Sequence, residues 1–257
     1  MKAIVLSAGQ GSRLLPLTTS KPKCLVEFAG RSLLEWQLEA LNCAGITEVV
    51  VVTGFGAEQV EAMLAERAPL GLKVRTIYNP FYKLADNLAT CWLVRHEMQG
   101  PFLILNGDTL IEPDIARRLL DAPPAPITVT VDRKPHYDAD DMKVRSDGAQ
   151  LSAIGKTLTD DIDGESIGFL RFSREGARRF VEQIDRVMHT PEGVKLWYLS
   201  AINGLAQNGV DIRVASIEGL QWGEVDFHPD VARARAMTAS WAARWLPQAE
   251  IKPAASG

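Results

Sequence analysis

The residues able to do chemistry fall in short stretches at the ends of apolar runs. Ser7-Ala8-Gly9-Gln10-Gly11-Ser12-Arg13 follows the run Ala3 to Leu6 directly. Small residues after a strand let backbone N–H groups approach a polyphosphate without a Cβ in the way, and Arg13 adds a fork of donors for its oxygens. Ala8, Gly9, Gly11, Ser12 and Arg13 are therefore candidate nucleotide-binding residues. Two commoner loops are disfavoured. A P-loop ends in Gly-Lys-Ser/Thr, where this chain has Gly11-Ser12-Arg13. The dinucleotide fingerprint needs a third glycine at Leu14 and an acid closing the second strand, where Thr53-Gly54 stands. Next comes Ser20-Lys21-Pro22-Lys23-Cys24, in which proline aims Lys23, a mobile point charge suited to following a phosphate through a reaction. A turn with two solvated lysines is the bland alternative, and the glycine loop beside it argues against that.

Two acidic stretches complete the set. Phe102 to Leu105 is a buried-strand run ending in Asn106-Gly107-Asp108, so Asp108 emerges at the carboxyl edge of the sheet, where open α/β sheets bind ligands. In Glu224-Val225-Asp226 the alternation places both acids on one face of an extended segment, and either could meet Asp108. One or two carboxylates with phosphate oxygens and waters form the usual magnesium environment. An aspartate after glycine is also a common turn former or helix cap. His96, His136, His189 and His228 show no ligand spacing and are given no chemistry.

The elements that must position these residues alternate. Strand-length runs Ala3 to Leu6, Val49 to Thr53, Val74 to Tyr78 and Phe102 to Leu105 are separated by helix-period segments, the pattern of a parallel sheet with crossover helices. The first helix is opened by a capping box, Ser32 with Glu35, and closed by Gly45. The second spans Ala57 to Arg67, and the third follows Asp86. After Pro113 the pattern changes to short strands, with Asp147-Gly148 as a hairpin signal. Helices near Glu175 to Met188, Trp197 to Gln207 and Pro229 to Trp245 follow, with a strand at Ile212 to Ser216. The fold class is α/β: a Rossmann-like doubly wound mixed sheet with a smaller antiparallel part. Residues 1–245 form one domain, with a nucleotide-binding half (1–112) and an acceptor-binding half (113–230), and residues 246–257 are expected to be disordered.

Composition fits this plan. Hydrophobic residues make up 46% and charged residues 23% of the 257, the proportions of an ordinary soluble protein. With 28 basic against 32 acidic side chains the formal charge is -4, so no global field exists to hold nucleic acid or an anionic membrane. Cys24, Cys43 and Cys91 suggest neither a disulfide framework nor a zinc site and fit the reducing cytoplasm. The opening run is too short for a signal peptide or membrane span. Homo-oligomerisation is left open.

The string LSAGQGSRLLPLTTSKPKCLVEFAGRSLLEWQLEAL resembles the signature of the nucleotidyltransferase superfamily, which includes sugar-1-phosphate thymidylyl- and uridylyltransferases and bacterial phosphocholine cytidylyltransferases. Asn79-Pro80-Phe81-Tyr82, Asp86-Asn87-Leu88, Asn106-Gly107-Asp108 and Glu224-Val225-Asp226 fall in the order expected of that superfamily. The phosphocholine branch is the nearest in pattern. The resemblance implies transfer of CMP from CTP to a small phosphorylated acceptor with release of pyrophosphate. It makes Asp108 and Asp226 the Mg2+ ligands, and Arg13, Lys23 and Asp108 the catalytic set. Base recognition falls to Gly54, Asn87 and Thr90. For the acceptor it implies Lys23, Lys156 and Arg133 toward the phosphate and Glu165 toward a hydroxyl or amine. A choline head would be enclosed by aromatic faces, for which Trp197, Tyr198 and Trp222 are available. Arg133, Lys134, Lys143 and Lys156 together would suit instead an anionic acceptor such as a phosphoglycerate. A sugar 1-phosphate taking a uridylyl or thymidylyl group, and a non-catalytic nucleotide sensor, are the remaining readings; a sensor has no need of paired carboxylates.

Overall fold

The computed structural model describes residues 1–245, so the expected tail lies outside them. Alternate residues of strand β1 (Lys2–Leu6) enter different cores, Ile4 on one face of the sheet and Ala3 and Val5 on the other. A strand covered on both sides reads as a continuous apolar run, which is why its sequence lacks polar alternation. The short hairpin β2 (Glu27–Phe28) and β3 (Arg31–Ser32) then leads into helix α1 (Leu33–Cys43). There Ser32 Oγ accepts the Glu35 N–H at 3.2 Å while the Glu35 carboxylate accepts the Ser32 N–H at 2.7 Å. Gly45, at φ 83°, ends the helix, a left-handed position that glycine takes without a Cβ penalty.

Then come β4 (Glu48–Thr53), α2 (Ala57–Arg67), β5 (Lys73–Tyr78), α3 (Asn87–Leu93) and β6 (Phe102–Asn106). Strands β5, β4, β1 and β6 lie side by side, all parallel. Beyond them β7 (Thr109–Ile111) leaves the sheet and α4 (Pro113–Asp121) begins, with proline in its first turn, where its missing N–H costs nothing. The sequence predicts a change of pattern here but not this helix, whose apolar stripe is only Ile115, Ala116 and Leu119 among charges.

The second half joins the same sheet. After β8 (Ile127–Asp132), β9 (Lys143–Asp147) and β10 (Gln150–Gly155) form the hairpin expected from Asp147-Gly148. Strand β11 (Gly164–Phe172) runs antiparallel to both β6 and β8. Helices α5 (Arg174–Met188) and α6 (Tyr198–Gln207) cover one face, and β12 (Ile212–Ser216) lies parallel to β8, so this half is mixed. The sheet order is β5-β4-β1-β6-β11-β8-β12-β10-β9, with the first residues of β11 also pairing β9. Finally β13 (Trp222–Glu224) pairs β7 as a separate antiparallel ribbon, and α7 (His228–Trp245) closes the described chain.

A third core joins the glycine turn to this last segment. It comprises Leu14, Phe28, Trp36, Leu110, Val225, Val231 and Trp241 among others, with Trp36 and Trp241 edge to face at 5.9 Å. Burying two indoles here ties the first and last parts of the fold together, and each indole N–H is satisfied, by Phe28 O and Gln221 Oε1. Ser32→Ala, which removes one half of the capping box, is expected to lower stability by about 1 kcal/mol, measured as a shift of the urea midpoint.

Candidate active site

The turn after β1 is built from local bonds. The Lys23 N–H donates to Gln10 O at 3.2 Å, and the Thr18 hydroxyl donates to Gly11 O at 2.7 Å. Gly11 has φ 77°, and a Cβ there would stand 2.8 Å from that of Lys23, so the lysine stem packs on the turn where only glycine fits. At Gly9 a Cβ would meet nothing within 4 Å, so no contact of the protein itself demands glycine. Gly54 is required by neighbouring chain: a Cβ would stand 2.5 Å from Ala8 O and 2.8 Å from Tyr82 Cβ.

Asp108 follows β6 and precedes β7. Buried Gln37 of α1 donates its amide to Asn106 O at 2.7 Å and to Thr109 O at 2.8 Å, clamping both ends of the turn that carries Asp108. Because β13 pairs β7, with Glu224 opposite Thr109 and the Val225 N–H on Asp108 O at 3.0 Å, the segment 224–226 is brought beside this turn. Lys23 Nζ stands between the two aspartates, 3.0 Å from Asp108 Oδ2 and 2.5 Å from Asp226 Oδ1. Arg13 reaches Asp226 Oδ2 at 3.3 Å and lies over the Phe227 ring, 5.1 Å from its centroid.

These charges tune one another. Burial works against the Lys23 ammonium, yet Asp108 and Asp226 outweigh it and hold its pKa above the ordinary lysine value. Burial likewise opposes charge on Asp226, and Lys23 with Arg13 holds its carboxyl below the usual range. Glu224, which lines the cleft, has its carboxyl raised by desolvation and by Asp108 and Asp226 beside it.

A cleft of about 790 Å³ extends from here. Arg13, Asn87, Asp108, Lys156, Glu165, Trp197 and Asp226, all expected on sequence grounds, line it. The bend in β11 carries Glu165 to its wall: Gly168, at φ 71°, packs on Asn106 where a Cβ would stand 2.2 Å from Nδ2. Lys134 bridges Glu165 at 3.0 Å and Asp141 at 2.8 Å. Burial pushes the Glu165 carboxyl up to about 7; Lys134 opposes this and Asp141 adds to it. Lys156 lies 4.6 Å from the centroid of the half-exposed Trp197 ring, with Asp140 at 3.5 Å.

Several expected residues belong elsewhere. Tyr198 is fully buried under Phe180 in the core and cannot face an acceptor. Thr90 is 5% exposed, and its hydroxyl accepts from Asn79 Nδ2, which makes it a structural partner rather than a base contact. Arg133 is exposed, donates to Asp163 O and does not line the cleft. Lys143 is buried and bonded to Lys156 O, so the basic surplus read from the sequence is not on the cleft wall. Asn87 does line the cleft, with its Oδ1 already accepting the Tyr198 N–H at 2.8 Å and its amide donors left for a ligand. Asp140 and Asp141, which line the cleft with Lys134, are not expected from the sequence, where no spacing sets them apart from other surface acids.

A doubly wound sheet that opens its carboxyl edge onto a glycine turn, with cations opposed to carboxylates, is the architecture of an enzyme that moves phosphorus-bearing groups. The family model "Nucleotidyl transferase" matches residues 2–141, and the chain belongs to that family. A CTP:phosphoglutamine cytidylyltransferase of Campylobacter jejuni is 26% identical over 255 residues, covering 90% of this chain and 98% of its own. The choline-phosphate cytidylyltransferase of Streptococcus pneumoniae is 34% identical over 104 residues, 40% of this chain and 43% of that one. Among solved structures, the inositol-1-phosphate CTP transferase from T. maritima superposes with TM-score 0.80 at 20% identity, covering 94% and 96% of the two chains, a likeness of fold.

The raised Glu165 pKa favours the neutral acid in the folded protein over the ordinary value of 4.5. Its contribution to stability is therefore present at low pH and lost as the pH rises toward about 7. The stability of Glu165→Gln relative to the parent should rise by on the order of 2 kcal/mol between about pH 4 and about pH 8, read from urea unfolding across that range.

Proposed function

We propose that this nucleotidyltransferase moves CMP from CTP to a small phosphorylated alcohol carrying a positively charged head, phosphocholine being the type, and releases pyrophosphate. The observation that carries the transfer is the Lys23 ammonium held between Asp108 and Asp226 beside the glycine turn. Two carboxylates converging on one cation are hard oxygen donors that suit magnesium. No larger cluster of potential ligands occurs among the described residues, so phosphate oxygens and water would complete the shell. Asp108 and Asp226 would hold that ion, which would supply charge neutralisation on the reacting phosphate.

The chain's own groups do the rest. Backbone N–H groups of the turn from Ala8 to Ser12 cradle the triphosphate, and Arg13 follows the β and γ phosphates as they leave. Lys23, released from the aspartates, brings the acceptor's phosphate oxygen in line with the α-phosphorus; the new P–O bond forms as the bond to the β-phosphate breaks. Preference for cytosine rests on the cytidylyltransferases among the relatives.

For the acceptor, the charge on the cleft wall is the guide. Asp138, Asp140 and Asp141 line it against Lys134 and Lys156, and both lysines are already paired with acids. Acids in excess favour a cationic or zwitterionic head over an anionic one, and the Trp197 face already carries an ammonium. The test is pyrophosphate release with each nucleoside triphosphate over phosphocholine, an amino-acid phosphoramidate, a phosphoglycerate and a sugar 1-phosphate. Turnover confined to the last two would overturn the acceptor class, and no acceptor-dependent release at all would overturn the transfer.

Lys23→Ala and Asp108→Ala should each lower kcat at least about a hundredfold, about 3 kcal/mol of barrier, with far-ultraviolet circular dichroism unchanged. Trp197→Ala should raise KM for phosphocholine at least about tenfold while KM for CTP stays within about twofold. Steady-state kinetics with each substrate varied in turn separates the two.

A further inference from the structure

Asp226 lies two residues beyond the end of β13, past the last tie to β7, the Val225 N–H on Asp108 O at 3.0 Å. Its own amide is held by a buried carboxylate. Asp230, the third residue of α7, is 8% exposed, and its Oδ2 accepts the backbone N–H of Asp226 at 3.0 Å and that of Phe227 at 2.7 Å. Its Oδ1 takes the guanidinium of Arg233, and its own N–H returns to Phe227 O at 3.0 Å. An acid at the third position of a helix commonly takes the amide of the residue just before it, as Glu35 takes that of Ser32. Asp230 takes that amide, Phe227 N–H, and on the same oxygen also the amide one residue earlier, that of Asp226.

Two consecutive N–H groups on one oxygen fix the peptide planes on either side of Asp226, and hence the directions in which Asp226 and Phe227 project. Those directions matter because the two side chains hold Arg13 from different sides, Asp226 Oδ2 at 3.3 Å from its Nη1 and the Phe227 ring centroid 5.1 Å from its Cζ. Asp226 Oδ1 meanwhile accepts Lys23. The next residue adds a further tie, His228 Nε2 lying 2.9 Å from Leu15 O. We infer that Asp230 is a positioning residue for the transfer: its carboxylate, through two backbone amides, sets the cation-holding geometry of Asp226 and the placement of Arg13.

The inference rests on the reading of Asp226 as a magnesium ligand, and its test keeps the two apart. Mn2+ binding is followed from the free-ion electron paramagnetic resonance signal, with a non-hydrolysable CTP analogue present and the full chain throughout. Outer partners of metal ligands commonly control affinity by ten- to a hundredfold. Asp230→Ala should weaken Mn2+ at least about tenfold and raise the metal concentration for half-maximal pyrophosphate release in step, while KM for the acceptor is unchanged. Asp230→Asn keeps an oxygen able to accept both amides and should stay within about threefold of the parent. If Asp226→Asn loses Mn2+ affinity and Asp230→Ala does not, or if the asparagine variant is as impaired as the alanine, the positioning role is overturned. If Asp226→Asn leaves affinity intact, the metal reading falls first. Should Asp230→Ala fail to fold, amide exchange in the parent decides: the Asp226 and Phe227 amides must be protected, and fast exchange at both would overturn the inference.

Discussion

Two carboxylates that share one ammonium form the constraint around which this molecule is arranged. Two like charges about 4 Å apart near a protein surface repel by on the order of 4 kcal/mol. A cation between Asp108 and Asp226 offsets that repulsion. Lys23 meets that need, and the same need is what would give a divalent ion its affinity. One requirement thus links the resting arrangement to the proposed reactive one. The ribbon of β7 and β13, the Gln37 clamp and the third core all bear on holding the aspartates close against their mutual repulsion.

The parallel half of the sheet was legible because its signals are local. A strand buried on both faces must be apolar throughout, and a capping box must place Ser32 three residues before Glu35; Lys2–Leu6 and Leu33–Cys43 obey such rules. The glycine turn and Lys23 were legible for the same reason. The pairing of Asp108 with Asp226 across 118 positions came from resemblance and from alternation, and the geometry brings the two together through strand pairing that no local pattern encodes.

What failed to show in the sequence failed for identifiable reasons. Tyr198 comes directly after Trp197, and adjacent aromatics at a helix start give no sign of which faces inward; the helix turns Tyr198 into the core and leaves Trp197 on the cleft. Thr90 reads as a companion of Asn87, but three positions along a helix bring its hydroxyl under Asn79. Lys134 and Asp141 sit in a loop rich in charge, where ion pairing with Glu165 depends on the bend of β11 at Gly168. Helix α4 is hidden because it is short, opens on Pro113 and is followed closely by Pro123 and Pro124, so the stretch reads as a bend.

The ribbon that joins β7 to β13 also divides the site between distant parts of the chain. Residues 1–108 contain the glycine turn, both cations and the first aspartate, yet the opposing aspartate is the 226th residue and is seated by the start of the final helix. A proteolytically shortened chain that stops before α7 would keep Asp226 but lose the Asp230 carboxylate that seats it and the Trp241 indole that closes the core around Trp36. Such a fragment would carry Lys23 and both aspartates without the two groups of α7 that fix their geometry.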